Sequence, residues 1–204
     1  MTGGPQMKVI GLCGGSGSGK GTVASLFAEH GFLHIDADEV YHRLTSRKTP
    51  CLDELIREFG DGIITAEGAL DRRALAEIVF SGQNVNARER LNAISHAHVL
   101  REIRRIIKDA DGKYSAVLVD APLLFESGFD AECDLVVAVV VPREERIRRI
   151  IARDNITKEA AASRIDAQIS DSELTSRADF VIKNDSDIDN LKSAVHDLIA
   201  KINI

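Results

Sequence analysis

The sequence predicts a single α/β domain in three layers, with a central parallel sheet between helices, and three observations predict it. The apolar run Val9 to Cys13 leads directly into a glycine-rich stretch and then into an amphipathic helical pattern, which is the order of a strand, a tight loop and a crossover helix. The runs Ser115 to Asp120 and Asp134 to Val141 are almost wholly aliphatic, as strands buried on both faces of a parallel sheet must be. Elsewhere the apolar residues recur at helical spacing, so that strands and helices alternate as in βαβ units.

At 204 residues the chain is long enough to bury a sizeable core as one domain. A formal net charge of −6 argues against a surface that coats nucleic acid or anchors to anionic lipid. Cys13, Cys51 and Cys133 are odd in number, far apart and in no CxxC or Cys/His pattern, so neither a disulfide framework nor a zinc site is indicated. The longest apolar run, Leu135 to Val141, is too short to cross a bilayer, and Met1 to Gln6 lacks the basic start and apolar centre of a signal peptide. These features predict a cytoplasmic protein with a loose tail at residues 1–6, and they leave the oligomeric state undetermined.

Taken in order, the first element beyond the strand is Gly14-Gly15-Ser16-Gly17-Ser18-Gly19-Lys20-Gly21-Thr22, a GxxxxGK phosphate-binding loop. Glycines let successive backbone N–H groups turn toward an anion at a helix N-terminus, and Lys20 adds a mobile positive charge. Gly15 to Thr22 are therefore the expected phosphate contacts. Gly21 stands where a hydroxyl residue commonly reaches Mg²⁺, so the loop itself lacks the usual metal ligand. Val23, Leu26 and Phe27 continue as the crossover helix, which Gly31 stops.

Phe32 to Ile35 reads as a second strand ending on Asp36-Ala37-Asp38, at the sheet edge where ligands gather in parallel α/β folds. Asp36 with Glu39 also fits a capping box for the next helix, and the two roles are compatible. Residues 41–113 read as helical throughout, a long insertion between strands of the kind that shapes a second-substrate pocket. Arg72, Arg73, His96 and His98 are its notable charged or titratable groups. Ser81-Gly82-Gln83 reads as a turn.

The third strand ends on Asp120, either as a carboxylate that holds Mg²⁺ or as a loop or capping acid. The apolar loop Pro122-Leu123-Leu124-Phe125-Glu126 follows. After the strand Asp134 to Val141 comes a helix from Arg143 to Asp154, on which Ile147, Ile150 and Ile151 form the apolar side. Arg146, Arg149 and Arg153 are expected on one polar face, either simply solvated or arranged as a lid over phosphates. Thr157 to Arg177 continues with a polar helical pattern. Phe180 to Ile182 is the last strand, and Ile188 to Ile202 the closing helix.

A phosphate loop, strand-end acids, an accessory helical region and an arginine-bearing helix together predict a small-molecule kinase rather than a nucleotide switch, for which an NKxD element would be expected. In detail the chain resembles the dephospho-CoA kinase family from Lys8 to about Val195. The resemblance rests on GLCGGSGSGKGTVA, HIDADEVYHRL, GALDRRALAEIVF, LNAISH, DAPLLFE, RIRRIIARDNIT and ADFVIKN. It implies a P-loop kinase fold with a core of about 7–40, 114–142 and 178–204, a helical acceptor-binding insertion of about 41–113 and a lid of about 143–177. It also implies ATP with Mg²⁺ as cofactors and dephospho-CoA as the phosphoryl acceptor at its ribose 3′-hydroxyl.

By the same resemblance, Asp36 is the base toward the hydroxyl, Lys20 and Arg149 serve the phosphates with Arg153 as a second, and Asn184 lies where adenine approaches. Asp38, Arg72, His96 and the residues Leu123, Leu124, Phe125 and Glu126 match the acceptor side. For the metal, Asp120 and Asp36 are the strand-end acids expected beside the loop, and Asp120 is preferred because the loop also resembles adenylate kinases at GKGT, which pair the same glycine with an acid at that position. Gly21 and Ala97 depart from the serine and proline usual there. Two alternatives stay open, an adenylate-kinase-like nucleoside monophosphate kinase and a non-catalytic nucleotide-binding module.

Overall fold

Branched aliphatic residues dominate the strands because a parallel sheet covered by helices has no solvent face on which to place polar side chains. The computed structural model describes residues 7–81, 86–121 and 123–202; the expected tail at 1–6, the turn at Gly82-Gln83 and Pro122 lie outside them. Strands β1 (Lys8–Cys13), β2 (Leu33–Asp36), β3 (Ala116–Asp120), β4 (Leu135–Val140) and β5 (Phe180–Lys183) form one sheet in the order β2-β3-β1-β4-β5. Register is parallel where β1 meets β3 and β4, and where β4 meets β5. All of β3 is buried.

This order puts β1 between β3 and β4, although the chain runs from β1 to the far edge at β2 before returning. The carboxyl end of β1 is thus the point where connections diverge, and the crevice so created is the natural ligand site of such a sheet. Helix α1 (Lys20–Glu29) starts there. On one side of the sheet α1 and the closing helix α9 (Ile188–Ile202) share a core in which Val23, Phe27, Ile10, Leu118, Val137 and Val195 have no solvent contact. Phe27 and Phe32 meet edge to face with ring centres 5.1 Å apart, which ties the end of α1 to the start of the next strand.

The chain divides into two compact units, one built on the sheet and one helical, Asp36–Asp109. The helical unit contains α2 (Ala37–Thr45), α3 (Pro50–Phe59), α4 (Arg72–Phe80) and α5 (Ala87–Ala110). Local chemistry sets its boundaries. Thr49 caps α3 by accepting from the Leu52 N–H, Pro50 opens it, and Gly60 closes it at a φ of 86° while donating to the Ile56 carbonyl. Asp71 caps α4 through the Arg73 and Ala74 N–H groups. Cys51, Leu52, Leu55, Ile63, Leu75 and Val79 form the unit's own core.

Within the sheet unit, α6 (Arg143–Asp154) and α7 (Lys158–Asp166) pack through Ile147, Ile150, Ala161 and Ile165, and α8 (Asp171–Arg177) packs on β4. Among the described residues no helix is long and apolar enough to cross a membrane.

Candidate active site

Among the described residues no side chain caps the N-terminus of α1, nor that of α6, which opens after Pro142, whereas α2, α3, α4, α7 and α8 each receive a cap from Asp, Thr or Ser. The first N–H groups of a helix need an acceptor, so an N-terminus left without a side-chain cap at a glycine loop is suited to an anion. The loop is shaped from behind. Arg146 reaches from α6 with its Nε 2.9 Å from the Ser16 carbonyl, its Nη2 3.0 Å from Gln168 Oε1 and its Nη1 2.8 Å from Asp171 Oδ1. Asn184, buried after β5, donates its amide to the Ser18 carbonyl at 2.8 Å.

Both contacts need glycine. A Cβ on Gly15 would overlap the Arg146 guanidinium, and one on Gly19 would overlap the Asn184 amide. The loop glycines therefore make room for the groups that brace the loop as well as for the phosphates it faces. The expectation that Arg146 shares a polar face with Arg149 and Arg153 is corrected, since Arg146 is only 3 % exposed. It lies four residues before the fully buried Ile150, on the margin of the apolar side, and its planar fork finds three acceptors there. Burial pulls its pKa down, an effect that Asp171 opposes.

Lys20 folds over the loop, its Nζ donating to the Gly14 carbonyl at 2.9 Å. Arg149 stands beside Gly19, with Nη2 3.0 Å from the Asn184 carbonyl and Nε 2.9 Å from Glu145. Arg153 instead pairs with Asp154, and Arg148 pairs with Glu145 on the exposed side of α6. Ser16 and Gly17 are half-buried and Thr22 is exposed on the first turn of α1. Ser18 is buried with its hydroxyl turned toward Gly14, its N–H donates to the Gly15 carbonyl at 3.1 Å and its carbonyl accepts from Asn184, so it shapes the loop from within. Gly21 has open space: beyond its chain neighbours and its own helix backbone, no atom of the described residues lies within 4 Å of a Cβ placed there.

Asp120 ends β3 in register with Leu12, which sets it beside the start of the loop. The adjacent Cys13 thiol is pushed up to about 12, chiefly by burial, with Lys20 pulling it down and Asp120 pushing it up. It is neutral at physiological pH. Of the loop after β3, Leu123 and Glu126 are exposed, while Leu124 is fully buried over Gly11 and Phe125 lies under Arg177, whose guanidinium carbon is 3.9 Å from the ring centre. The expectation that all four residues face an acceptor is corrected for Leu124, whose place in the core gives it the part of seating the loop.

Asp36 is the last residue of β2 and the N-cap of α2, its Oδ1 accepting from the Asp38 N–H at 2.8 Å and the Glu39 N–H at 3.2 Å. In the helical unit Asp38 is exposed on α2, His96 is half-buried on α5, and the exposed Arg72 donates to His42 Nδ1 at 2.9 Å. His98 is buried on a 2.7 Å contact with Glu54, a hydrogen bond that holds the Glu54 carboxyl below its usual range. Residues that sequence reasoning missed are Gln168, Asp171 and Arg177. Their partners lie far away in the chain, and only the position of Arg146 at the edge of the isoleucine seam hinted at an inward role.

A five-stranded parallel sheet, a GxxxxGK loop at its switch point and a loop-facing arginine on α6 define a P-loop phosphotransferase. The dephospho-CoA kinase family profile matches residues 8–190. The chain belongs to the dephospho-CoA kinase family, whose members are ATP-binding transferases of coenzyme A biosynthesis. A dephospho-CoA kinase of Corynebacterium glutamicum is 40% identical over 194 residues, covering 95% of this chain and 96% of that one. That of Symbiobacterium thermophilum is 41% identical over 191 residues, covering 93% and 79%.

Among solved structures, a Thermus thermophilus protein matches with a TM-score of 0.81 at 31% identity, over 97% of this chain and 99% of that one. The dephospho-CoA kinase of Campylobacter jejuni matches at 0.68 and 28% identity, over 95% and 96%. A shikimate kinase of Acinetobacter baumannii, at 19% identity and a TM-score of 0.54 over 97% and 96%, shares the fold.

Proposed function

We propose that this chain transfers the γ-phosphoryl group of ATP to the ribose 3′-hydroxyl of dephospho-CoA, releasing ADP and coenzyme A in the last step of coenzyme A synthesis. The observation that carries the reading is the convergence of Lys20, Arg149 and the N-terminus of α1, which no side chain among the described residues caps, on one glycine loop. Phosphoryl transfer asks little covalent chemistry of a protein. It asks for positioning and for positive charge around oxygens that share the developing negative charge.

In this reading the loop from Gly15 to Thr22 and Lys20 hold the ATP phosphates, Arg149 meets the transferring group, and the segment at Asn184 borders adenine. Both cap bonds of Asp36 go to Oδ1, which leaves Oδ2 to orient the acceptor hydroxyl and to receive its proton late, as charge develops. Asp38, Arg72, His96, Leu123, Phe125 and Glu126 serve the acceptor. The helical region 41–113 is the acceptor-binding part, residues 143–177 are the lid, and the protein works in the cytoplasm.

Among the described residues no group of three or more His, Cys, Asp or Glu is arranged to hold a metal. Gly21 offers no hydroxyl and Mg²⁺ commonly keeps several waters, so it would be held by the nucleotide's own oxygens, with Asp120 as the principal water-mediated carboxylate and Asp36 as the second acid. When bound it would neutralise phosphate charge.

A coupled ADP-release assay with dephospho-CoA, AMP, CMP or no acceptor tests the reading. Turnover is expected only with dephospho-CoA, and turnover with AMP instead would make the chain a nucleoside monophosphate kinase. In the same assay Asp120→Ala is expected to raise the Mg²⁺ concentration for half-maximal rate. A titration that overlays the unmodified enzyme would pass the metal's partner role to Asp36.

A further inference from the structure

The backbone of Ser16 is taken up on both sides by residues outside the loop. Its N–H donates to Gln168 Oε1 at 2.9 Å, and its carbonyl accepts from Arg146 Nε at 2.9 Å. The same Gln168 oxygen accepts from Arg146 Nη2 at 3.0 Å, which closes a ring of hydrogen bonds from Ser16 through Gln168 and Arg146 back to Ser16. Asp171 anchors the far side of the guanidinium, and the Gln168 N–H donates to the Ile165 carbonyl at the end of α7. A ring of this kind fixes the peptide planes on either side of Ser16.

That orientation matters to an anion. If the Ser16–Gly17 peptide flipped, its carbonyl would leave Arg146 and turn toward phosphate oxygens, replacing attraction with repulsion at contact distance; the Ser16 N–H, spent on Gln168, holds the ring that prevents this. Gln168 also has to supply its acceptor without charge. A carboxylate at the same place would accept from both donors equally well, but it would set a full negative charge within hydrogen-bond distance of a loop that receives a polyanion.

We propose that Gln168 is a positioning residue for nucleotide binding: with Arg146 it locks the Ser16 peptides so that the Ser16 carbonyl is held away from the anion and the Gly17 N–H on the opposite side of that peptide is left to face it, and it does so as a neutral acceptor. The inference rests on the reading of the loop as the ATP site and is independent of which acceptor is phosphorylated. Gln168 acts through the loop.

The test is calorimetric binding of ADP and of a non-hydrolysable ATP analogue to the full chain and to Gln168→Leu and Gln168→Glu, with melting temperatures measured in parallel. Gln168→Leu removes the acceptor and is expected to weaken nucleotide binding by about tenfold or more, the loss of a charge-assisted hydrogen bond. Gln168→Glu separates geometry from charge. It is expected to melt at or above the temperature of the unmodified chain, because Arg146 gains a second anion, and yet to bind nucleotide more weakly, with the deficit larger for the ATP analogue than for ADP. KM for dephospho-CoA should stay unchanged in both variants.

Equal nucleotide affinity in Gln168→Leu and the unmodified chain would overturn the positioning role. Equal affinity in Gln168→Glu would overturn the requirement for a neutral acceptor. If the unmodified chain itself bound neither nucleotide, the reading of the loop as the ATP site would fall first, which keeps the two failures distinct.

Discussion

Gly19→Ala and Gly21→Ala place the same methyl group two residues apart and are expected to move stability in opposite directions. Gly19 holds a φ of 86°, the left-handed region, where an alanine costs roughly 1–2 kcal/mol. Its new Cβ would also fall on the Asn184 amide. Displacing that buried amide leaves the Ser18 carbonyl without the 2.8 Å bond it now accepts, which adds about 1–3 kcal/mol. Together these give about 2–5 kcal/mol, or a fall in Tm of roughly 5–15 °C for a domain of this size. Gly21 lies in the first turn of α1, has no positive φ, and among the described residues offers a Cβ no neighbour within 4 Å beyond its chain neighbours and its own helix backbone. Alanine there gains up to about 1 kcal/mol of helix propensity. Circular dichroism melts of the three proteins at matched concentration measure the difference. If Gly19→Ala melted within about 2 °C of the unmodified chain, less than 1 kcal/mol would have been lost and the bracing of the loop by Asn184 would be refuted.

Lys20→Ala should abolish phosphoryl transfer with an unchanged melt, and retained turnover would remove the lysine from the phosphate site. Arg149→Ala is expected to lower kcat on the order of 10³-fold, as for other arginines that stabilise a transferring phosphoryl group, while Arg148→Ala, on the exposed side of α6, should cost little; equal small losses would mark the helix as merely solvated. Asp36→Asn keeps an oxygen to cap α2 and should therefore lower kcat far more than it changes KM for ATP, whereas a collapse of ATP affinity with kcat preserved would make Asp36 a metal or structural residue. Hydrogen bonds from Arg153 and then Arg164 hold the Asp154 carboxyl down at about 2, from an ordinary value of 3.8. A depressed carboxylate stabilises the fold above its ordinary pKa and loses that contribution as pH falls through its folded value, so Asp154→Asn should melt lower at neutral pH and the gap should close toward about pH 2; a gap independent of pH would contradict the pairing.

Elements whose cause is local were legible from the chain alone. The GxxxxGK loop declares itself through backbone freedom between a strand and a helix, and β3 and β4 through unbroken runs of aliphatic residues. The Asp36 cap follows from an acid placed two and three residues before the N–H groups it accepts from. Features whose cause lies across the fold were not legible. Helical periodicity assigned Arg146 to a polar face because periodicity records only hydrophobicity, and an arginine is polar wherever it points. What turned it inward was the absence of a side chain at Gly15, 131 positions earlier, together with acceptors at Ser16 and Gln168 that no local pattern connects.

Two separate requirements make so much of the loop glycine. Left-handed backbone at Gly19 requires a residue without a Cβ, but at Gly15 the requirement is spatial, since the position is filled by the Arg146 guanidinium. A phosphate loop has two faces, and its backbone must be approached closely on both. The inner face admits an anion, and the outer face admits Arg146 and Asn184, whose hydrogen bonds go to carbonyls. Each carbonyl drawn outward by those donors is one removed from the path of phosphate oxygens, so the outer contacts shape the inner site without touching a ligand.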